Sequence, residues 1–398
     1  MLVGIFSDTH LGYGSGEQYE ESFDRFKESI RILKEKGVDV IVHAGDLFDN
    51  AIPDQEVWEK TFESFSENMV GESIITRDRM GKESSVSVRG TPIIAIHGTH
   101  EHRGKDFTNA LDVLEKACLL VHLHVGKTII EKDCEKLAIH GMGGVPEKHA
   151  KTVLQKYSPK PVSNATNLLL LHQSFNEFLP FDDEMIASLS LADLPQGFDL
   201  IIDGHLHWTS EQDVNGKRFL LTGSTIFTQM KKLEGEAQKG VFTYETKTKK
   251  LEFIPFKEQR KLFYHKIKFD SAHPEEVKSK VEEQIAKDLE NKYVMKPLIR
   301  LKLKGTLAKG FSQSDINFDL PETAIFSISK NFARDEFKKK MDSFKDEQLK
   351  KKGIIELGVD ILEKNVEEAG LKSFDSRRIF ELLSEGEMEK AEKILMEE

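Results

Sequence analysis

Five short segments repeat one arrangement, in which a run of apolar residues ends directly at an aspartate or a histidine. In chain order they read FSDTH, HAGDLFD, AIHGTHEHR, LLLHQ and IDGHLHW. In a sheet whose strands are joined by helical crossovers, the carboxyl ends of the strands lie along one edge, where the following loops converge. The arrangement therefore predicts an α/β fold with a polar site at that edge.

The side chains that these segments bring to the edge are imidazoles and carboxylates, with no thiolate. The set consists of Asp8, His10, Asp46, His100, His172, His205 and His207. Such donors suit Mn, Fe or Zn and disfavour a calcium site. A carboxylate shared by two ions about 3.5–4 Å apart can ionise a water and stabilise an in-line displacement at a phosphate ester. The cluster alone therefore favours phosphoester hydrolysis.

Apolar runs predict strands in the first half of the chain, with amphipathic helices between some of them. The predicted strands are Leu2–Phe6, Val38–Val42, Ile93–Ile96, Leu137–Ile139, Leu168–Leu171 and Leu200–Ile202. The predicted helices are Phe23–Lys36 and Ala110–Ala117. The segment Val70–Arg89 is charged and rich in serine and glycine, which predicts a loop.

The length of 398 residues predicts more than one compact unit. We expect a first domain over residues 1–256, a small α+β domain over 257–331 and a helical tail over 332–398. Two cysteines and the lack of a long apolar run or a leader-like start predict a protein of the reducing cytoplasm, without a membrane span. The net charge of −11 excludes a chain that is basic throughout, so any polyanion must contact a local patch.

A basic stretch begins with the small domain. Residues 257–310 contain 14 lysine and arginine residues against 8 aspartate and glutamate residues, so this part of the chain is positive. In KPLIRLKLK the apolar residues alternate with Arg300, Lys302 and Lys304, which predicts a strand with one charged face. That face could contact DNA phosphates without sequence preference, or it could be the solvated face of an ordinary edge strand.

The order of motifs resembles that of the calcineurin-like metallophosphoesterases: D-x-H, G-D-x-x-D, G-x-H-E, H and G-H-x-H. Within them the chain is similar to the nucleases of DNA double-strand-break repair, the meiotic recombination eleven or SbcD family, in their archaeal form. The resemblance extends through LADLPQGFDLIIDGHLH, LTGS and KGVFTYE to the small domain and the tail. It implies an α/β sandwich of two central β-sheets flanked by helices, with a small α+β cap domain and a helical C-terminal tail.

The resemblance also implies a role for each site residue. Two Mn²⁺ ions, or Mg²⁺ or other divalent ions, would bind to each subunit. Asp8, His10 and His207 would hold the first ion, His172 and His205 the second, and Asp46 would bridge them. His100 would be the general acid or would fix the phosphate, and Asp49 would orient it, since a neighbouring carboxylate keeps an imidazole protonated.

Thr99 departs from the family pattern, which has an asparagine there as a ligand of the second metal. Three readings are open: the Thr99 hydroxyl binds weakly, a water replaces the amide, or Glu101 becomes the ligand. The first two are favoured, because neighbouring residues of an extended loop point in opposite directions. Of the nearby residues, His97 is expected to pack near the strand end, and His102 and Arg103 to face DNA or solvent.

The implied activity is 3′–5′ exonuclease action on duplex DNA and endonuclease action on single strands, at the nucleoid. The implied partners are DNA ends, a second copy of the chain and an ABC-type ATPase of the Rad-fifty/SbcC kind. Helices Phe23–Lys36 and Val57–Phe65 are candidates for pairing the two copies, against plain core packing. The tail would dock the ATPase through Ile379, Leu382 and Leu383, or would instead fold back onto the cap.

Two other functions remain open. The same metals could serve a phosphodiesterase or phosphatase of small or protein substrates, although the basic cap argues against this. Alternatively, the chain could be a scaffold that binds DNA ends, with nuclease activity weakened by Thr99. Comparing turnover of bis-p-nitrophenyl phosphate and of a DNA hairpin would separate these possibilities.

Overall fold

The predicted strands lie in two β-sheets that pack face to face. A computed structural model of the chain describes residues 1–79, 81–104, 107–179, 189–214, 216–333, 359, 363 and 375–384. Strands β1–β6 are Leu2–Phe6, Val40–Ala44, Glu72–Arg79, Lys82–Arg89, Ile93–Ile96 and Val121–His122. Strands β7–β12 are Gly126–Lys132, Glu135–Met142, Thr166–Leu171, Leu200–Asp203, Ser210–Val214 and Lys217–Leu221. Strands β13–β17 are Gly240–Glu245, Leu251–Pro255, Leu262–Ala272, Leu298–Leu307 and Ile325–Ala333.

The helices lie between these strands, and one follows them in the tail. Helices α1–α4 are Glu17–Glu35, Gln55–Phe65, Ala110–Lys116 and Glu147–Tyr157. Helices α5–α7 are Lys232–Glu236, Pro274–Asp288 and Ser376–Ser384. No helix in the described part of the chain combines the length and the apolar character needed to cross a membrane.

Three parallel strands of the first sheet lead into the first three motif segments. The first sheet has the order β14-β13-β1-β2-β5-β6, in which β1, β2 and β5 are parallel neighbours. The second has the order β11-β12-β10-β9-β8-β7-β3-β4, in which β8, β9 and β10 are parallel neighbours. The predicted α/β sandwich of two central sheets is therefore confirmed. In each sheet the carboxyl ends of the parallel strands lead into the loops that carry the motif residues.

An apolar layer between the sheets fixes their relative position. Ile5 and Ile94 of the first sheet share this core with Leu170 and Ile202 of the second, and all four are fully buried. Because side chains alternate along a strand, Leu169 points the other way, into a separate core on the outer face of the second sheet. Removal of this much apolar surface from water is the main force that holds the layers together.

Helix α1 covers the outer face of the first sheet. Its Phe23, Phe26, Ile30 and Leu33 recur at helical spacing and are buried in one cluster with residues of that face. The predicted helix Phe23–Lys36 is thus confirmed, with a start six residues earlier at Glu17. The added first turn carries two acidic residues, Glu17 and Glu20, which favour a helix N-terminus.

The loop predicted over Val70–Arg89 is wrong. Glu72–Arg79 and Lys82–Arg89 form an antiparallel hairpin at the end of the second sheet, where β3 also pairs with β7. The hairpin turns at Gly81, whose φ of 75° favours glycine. Val86 and Val88 are buried, whereas the serine and charged residues of the hairpin face outward. With so few apolar residues, the segment lacks the continuous apolar run from which the other strands are predicted.

The chain divides into two compact units. The first comprises Met1–His265, Glu290–Arg300 and Pro321–Ser327, and the second comprises Lys266–Leu289, Leu301–Leu320 and the described residues from Ile328 onward. A third sheet has the order β15-β16-β17. The predicted domain limits at residues 256 and 331 remain predictions, because this division cuts across the strands of the third sheet.

Strand β16 is the middle strand of the third sheet, so the alternative of an edge strand protected by lysines is wrong. Ile299, Leu301 and Leu303 are fully buried. Lys304 on the opposite face is exposed, and Arg300 and Lys302 are half-buried. The predicted alternation of β16 is therefore present, with a charged face on a central strand.

Candidate metal centre

The loops after four strands bring six of the predicted ligands into two groups. Asp8, His10 and His207 form a first set whose ligand atoms all lie within 4.8 Å of one another. Asp46, His172 and His205 form a second set by the same measure. Each set takes residues from both sheets, so neither can form until the two sheets are packed together.

Asp46 lies between the two sets. One carboxylate oxygen, Oδ2, is 3.1 Å from Nε2 of His172 and 4.0 Å from Nε2 of His10. The other, Oδ1, accepts a hydrogen bond of 2.9 Å from the backbone N–H of His100. Asp46 therefore contacts both sets and the loop that carries the predicted acid.

Three of the imidazoles are held by a hydrogen bond from the ring nitrogen away from the site. His172 Nδ1 donates to the carbonyl of Ala44 over 2.8 Å, and His10 Nδ1 donates to the carboxylate of Asp49 over 3.2 Å. His207 Nδ1 lies 2.6 Å from the hydroxyl of Thr228. A donor at Nδ1 leaves the Nε2 lone pair free, which is the arrangement that ligating histidines have.

A buried ion pair supports His207 from behind. Lys239 donates to the carbonyl of His207 over 2.9 Å, and its ammonium lies 3.5 Å from the carboxylate of Glu234. Glu234 in turn lies 3.5 Å from Nδ1 of His207. Burial opposes the charge on Glu234, but Lys239 and His207 lower the pKa of its carboxyl to about 2. Sequence reasoning missed this pair, because no motif links it to the strand-end histidines.

Four of the ligands adopt a backbone conformation that is unusual for residues with a side chain. Asp8, His10, Asp46 and His205 have φ angles of 51°, 46°, 50° and 73°. Each such residue costs on the order of 1–3 kcal/mol and persists only where the surroundings hold it. This strain is concentrated at the candidate ligands, as is common at functional sites.

Two glycines allow the loops to approach this closely. A Cβ atom at Gly98 would lie 2.0 Å from Oδ1 of Asp46, and one at Gly45 would lie 2.3 Å from Nδ1 of His172. Gly45 also has a φ of 95°, which side-chain-bearing residues rarely adopt. The glycines of the G-D-x-x-D and G-x-H-E motifs are therefore required by packing against the ligands.

The charges of the site suit divalent cations. Burial raises the pKa of Asp8 and lowers the pKa of His205 to about 3, so burial opposes charge at both. Burial also disfavours a charged His172, but the carboxylate of Asp46 raises the pKa of this imidazole to about 10. Nε2 of His10 lies only 3.3 Å from Nε2 of His207. Metal cations would bind the Nε2 atoms of the two imidazoles and neutralise the buried carboxylates at the same time, so these residues fit a metal pair.

The predicted pair of Asp49 and His100 is present at the mouth of the site. His100 Nδ1 donates to the backbone carbonyl of Asp49 over 2.6 Å, and Oδ1 of Asp49 is 3.7 Å away. The same carboxylate is closer to His10, whose Nδ1 lies 3.2 Å from it. The side chain of His100 is 44% exposed, so its Nε2 can reach a substrate. Asp49 thus orients His100 mainly through its main chain.

The neighbours of Thr99 exclude one of the three hypotheses about which group binds the second metal at this position. Glu101 is fully buried, and its two carboxylate oxygens accept hydrogen bonds of 2.6 and 2.7 Å from the N–H groups of Phe48 and Gly98. A carboxylate engaged in this way cannot turn toward the second metal, so the Glu101 reading is wrong. Thr99 is half-buried, and a weak hydroxyl ligand or a bridging water both remain open.

The other imidazoles of the segment AIHGTHEHR, His97 and His102, lie apart from the two sets. His97 is buried and its Nδ1 is 2.9 Å from Nε2 of His122, which itself contacts Asp112 over 2.7 Å. His102 is exposed, with Nδ1 3.1 Å from the carbonyl of Gly144. Arg103 donates to the carbonyl of Thr108, and its guanidinium lies over the ring of Phe107. These residues are surroundings of His100.

Comparison with known proteins agrees with this geometry. The model of the calcineurin-like phosphoesterase family matches residues 1–209. The double-strand break repair protein MRE11 of Encephalitozoon cuniculi is 27% identical over 59% of this chain and 43% of its own length. The Mre11 protein of Saccharolobus solfataricus is 28% identical over 60% and 58%. That of Thermoplasma acidophilum is 25% identical over 82% of both chains.

The chain spans about half the length of the first curated relatives it matches. The family match contains every residue of both sets, from Asp8 to His207, whereas the small domain and the tail lie beyond it. The metal centre is thus the part of the chain that the family comparison covers.

Metal binding is expected to stabilise the fold strongly. At a free Mn²⁺ concentration of about 100 times the dissociation constant, linkage predicts about 2.7 kcal/mol for one site. Thermal unfolding with and without Mn²⁺ measures this effect. Asp46→Ala should abolish most of it, because Asp46 contacts both sets, whereas Glu131→Ala removes only an exposed carboxylate and should behave as wild type. An equal Mn²⁺ effect in the Asp46 variant would contradict the bridging position.

Thr99→Asn is expected to strengthen binding of the second ion. An amide oxygen is a better ligand than a hydroxyl or a bridging water, so the Mn²⁺ concentration at half-saturation of the weaker site should fall. Calorimetric titration of Mn²⁺ into the apo protein measures this directly. An unchanged or higher requirement would mean that residue 99 does not face the second ion.

Proposed function

Because the chain belongs to the calcineurin-like phosphoesterase family, we propose that it is a Mn²⁺-dependent DNA nuclease that processes broken DNA ends. The observation that carries this proposal is the pair of ligand sets joined at Asp46. The substrate is inferred from the relatives, which are double-strand break repair proteins. The activity would be 3′–5′ exonuclease on duplex DNA and endonuclease on single strands.

The two sets would hold the metal pair. Asp8, His10 and His207 would bind one ion and His172 and His205 the other, with Asp46 shared between them. Such a pair supplies an activated water and neutralises charge on a phosphate diester. The carbonyl of Ala44 and the carboxylate of Asp49 accept from Nδ1 of His172 and His10, which directs the Nε2 atoms to the ions. The carboxylate of Glu234, 3.5 Å from Nδ1 of His207, favours the same arrangement there.

His100 is the group of this chain best placed to act on the substrate. Its Nδ1 donates to the backbone carbonyl of Asp49, and its ring lies 4.7 Å from the ring of His10, so Nε2 is the nitrogen left for a substrate. A protonated Nε2 at that position can donate to a phosphate oxygen or to the leaving 3′ oxygen. Positioned acid–base groups of this kind contribute about 10²- to 10⁴-fold to a rate.

The charged face of β16 would supply contacts to DNA phosphates. Arg300, Lys302 and Lys304 follow one another on this face, and Arg300 is fixed by donating to the hydroxyl of Ser327. Phosphate contacts confer affinity without sequence specificity, which suits a nuclease that acts on any broken end. Arg103 beside His100 would add a contact near the site.

The tail would dock the ABC-type ATPase. In α7, Asp375 caps the helix by accepting a hydrogen bond of 3.1 Å from the N–H of Arg378. Ile379 is only 2% exposed, whereas the side chains of Leu382 and Leu383 lie outside the described residues. The docking role of these three residues remains a proposal, supported by the strongly amphipathic sequence of α7.

A second copy of the chain would pair through α2. Core packing accounts for Val57 and Phe65, which are buried. Trp58 stacks on Phe62 with ring centroids 5.8 Å apart and also contacts the buried Phe48, whereas Phe62 is 38% exposed. Exposed aromatic residues of this kind are common at interfaces between subunits.

His100→Ala is expected to remove nuclease activity while leaving metal binding intact. Wild-type protein with Mn²⁺ should degrade a DNA hairpin, and the variant should be slower by about 10²-fold or more because the acid is lost. Calorimetry should still detect both ions, since His100 belongs to neither set of metal ligands. His149→Ala, an exposed histidine on α4, is the matched control and should retain full activity.

The same assay separates the alternatives. Loss of both ions in the His100 variant would show that His100 is a ligand. Turnover of bis-p-nitrophenyl phosphate without cleavage of DNA would favour a small-substrate phosphodiesterase. Tight binding of DNA ends without any metal-dependent cleavage would favour the scaffold.

Removal of a charge on β16 is expected to weaken DNA binding uniformly across sequences. Lys304→Ala should reduce the slope of log affinity against log salt by about 1, because one phosphate contact releases about one counterion. Fluorescence anisotropy of a labelled duplex at several salt concentrations measures the slope. Lys247→Ala, an exposed lysine between β13 and β14, is the control. Equal slopes for both variants would place the DNA contact elsewhere.

A further inference from the structure

Glu147 brings a further carboxylate to the edge of the second set, whose own carboxylate is that of Asp46. It is the first residue of α4, and its Oε1 lies 3.8 Å from Nε2 of His205. Its other oxygen, Oε2, is buried and has no hydrogen-bond partner among the described residues. A buried carboxylate oxygen without a donor is costly, so a cation beside it would remove a penalty that the protein otherwise carries.

The loop that leads into Glu147 is held against the loop of Thr99. The N–H of Gly144 donates to the carbonyl of His97 over 2.7 Å. A Cβ at Gly144 would lie 2.7 Å from the backbone nitrogen of Thr99, so the two loops are in close contact. The position of Glu147 therefore depends on the same loop that carries the unusual threonine.

A second contact ties Glu147 to the loop of His172. Oε1 accepts a hydrogen bond of 3.3 Å from the N–H of Ser174, two residues after His172. Glu147 thus adjoins the loops of His172 and His205, the two imidazoles of the second set. It does not contact the first set in any described interaction.

From this placement we propose that Glu147 strengthens binding of the second metal and offsets the weak position at Thr99. The inference rests on the metal pair of the proposed function. A carboxylate beside a divalent ion contributes charge that a threonine hydroxyl lacks. Groups just outside the ligand set change metal affinity by about 10- to 100-fold when removed.

Glu147→Gln isolates this charge. The amide oxygen of glutamine can still accept from Ser174, so the hydrogen bond that a purely structural role requires is kept. Calorimetric titration of Mn²⁺ into the apo protein should show the weaker site losing about 10-fold or more in affinity, with the tighter site unchanged. Glu131→Gln, at an exposed position of strand β7, should leave both sites as in wild type.

A second variant tests the link to Thr99. Thr99→Asn in the Glu147→Gln background should restore most of the lost affinity, because the amide supplies the missing ligand. The Mn²⁺ affinity of the weaker site in the double variant should therefore exceed the value obtained by adding the effects of the two single changes, as expected for coupled residues.

Two results would overturn the inference. An unchanged weaker site in Glu147→Gln would show that the carboxylate does not act on the ion. Equal loss at both sites, together with a lower unfolding temperature of the apo protein, would show a structural role only. These readouts do not use DNA, so absence of nuclease activity with two intact Mn²⁺ sites would refute the proposed function and leave this inference standing.

Discussion

The apolar layer between the two sheets is the interaction on which the site depends. Asp8, His10 and Asp46 follow strands of the first sheet, whereas His172, His205 and His207 follow strands of the second. Each ligand set is completed only across the layer, where residues such as Ile5 and Ile202 are fully buried. The distances between ligands are therefore set by core packing, because close-packed interiors resist displacement.

This dependence explains why the ligand loops carry strain. Four ligands with positive φ and two glycines in direct contact with ligand side chains are conformations that isolated loops would not keep. The core holds the strand ends in place, and the strand ends hold the loops. Buried charge adds to the strain, because Asp8 and Asp46 are both withdrawn from water. Bound cations would relieve the electrostatic part, so metal binding and folding are expected to support one another.

Local patterns predict an α/β fold and the identity of the strand-end residues, whereas the sandwich of two sheets is what the resemblance to the phosphoesterase family implies. Leu2–Phe6 and Ile93–Ile96 were predicted to the residue, since their apolar runs are bounded by polar loops. The hairpin of β3 and β4 was missed, because its exposed positions are charged or serine and only one face is buried.

Residues that act from a distance in sequence could not be found in this way. Glu234 and Lys239 support His207, and Glu147 reaches His205, yet none lies within a strand-end motif. Their roles depend on how separate loops meet after folding. The same is true of Glu101, whose burial and two backbone hydrogen bonds exclude it as a ligand only once the loop of Phe48 is in place.

The buried carboxylate of Asp46 would be shared by two metal ions. Crystals of the protein grown with Mn²⁺ test it most directly, through anomalous diffraction at the manganese edge. We expect two manganese peaks, one at Asp8, His10 and His207 and one at His172 and His205, both within ligand distance of Asp46. A single peak, or two peaks of which only one contacts Asp46, would contradict it.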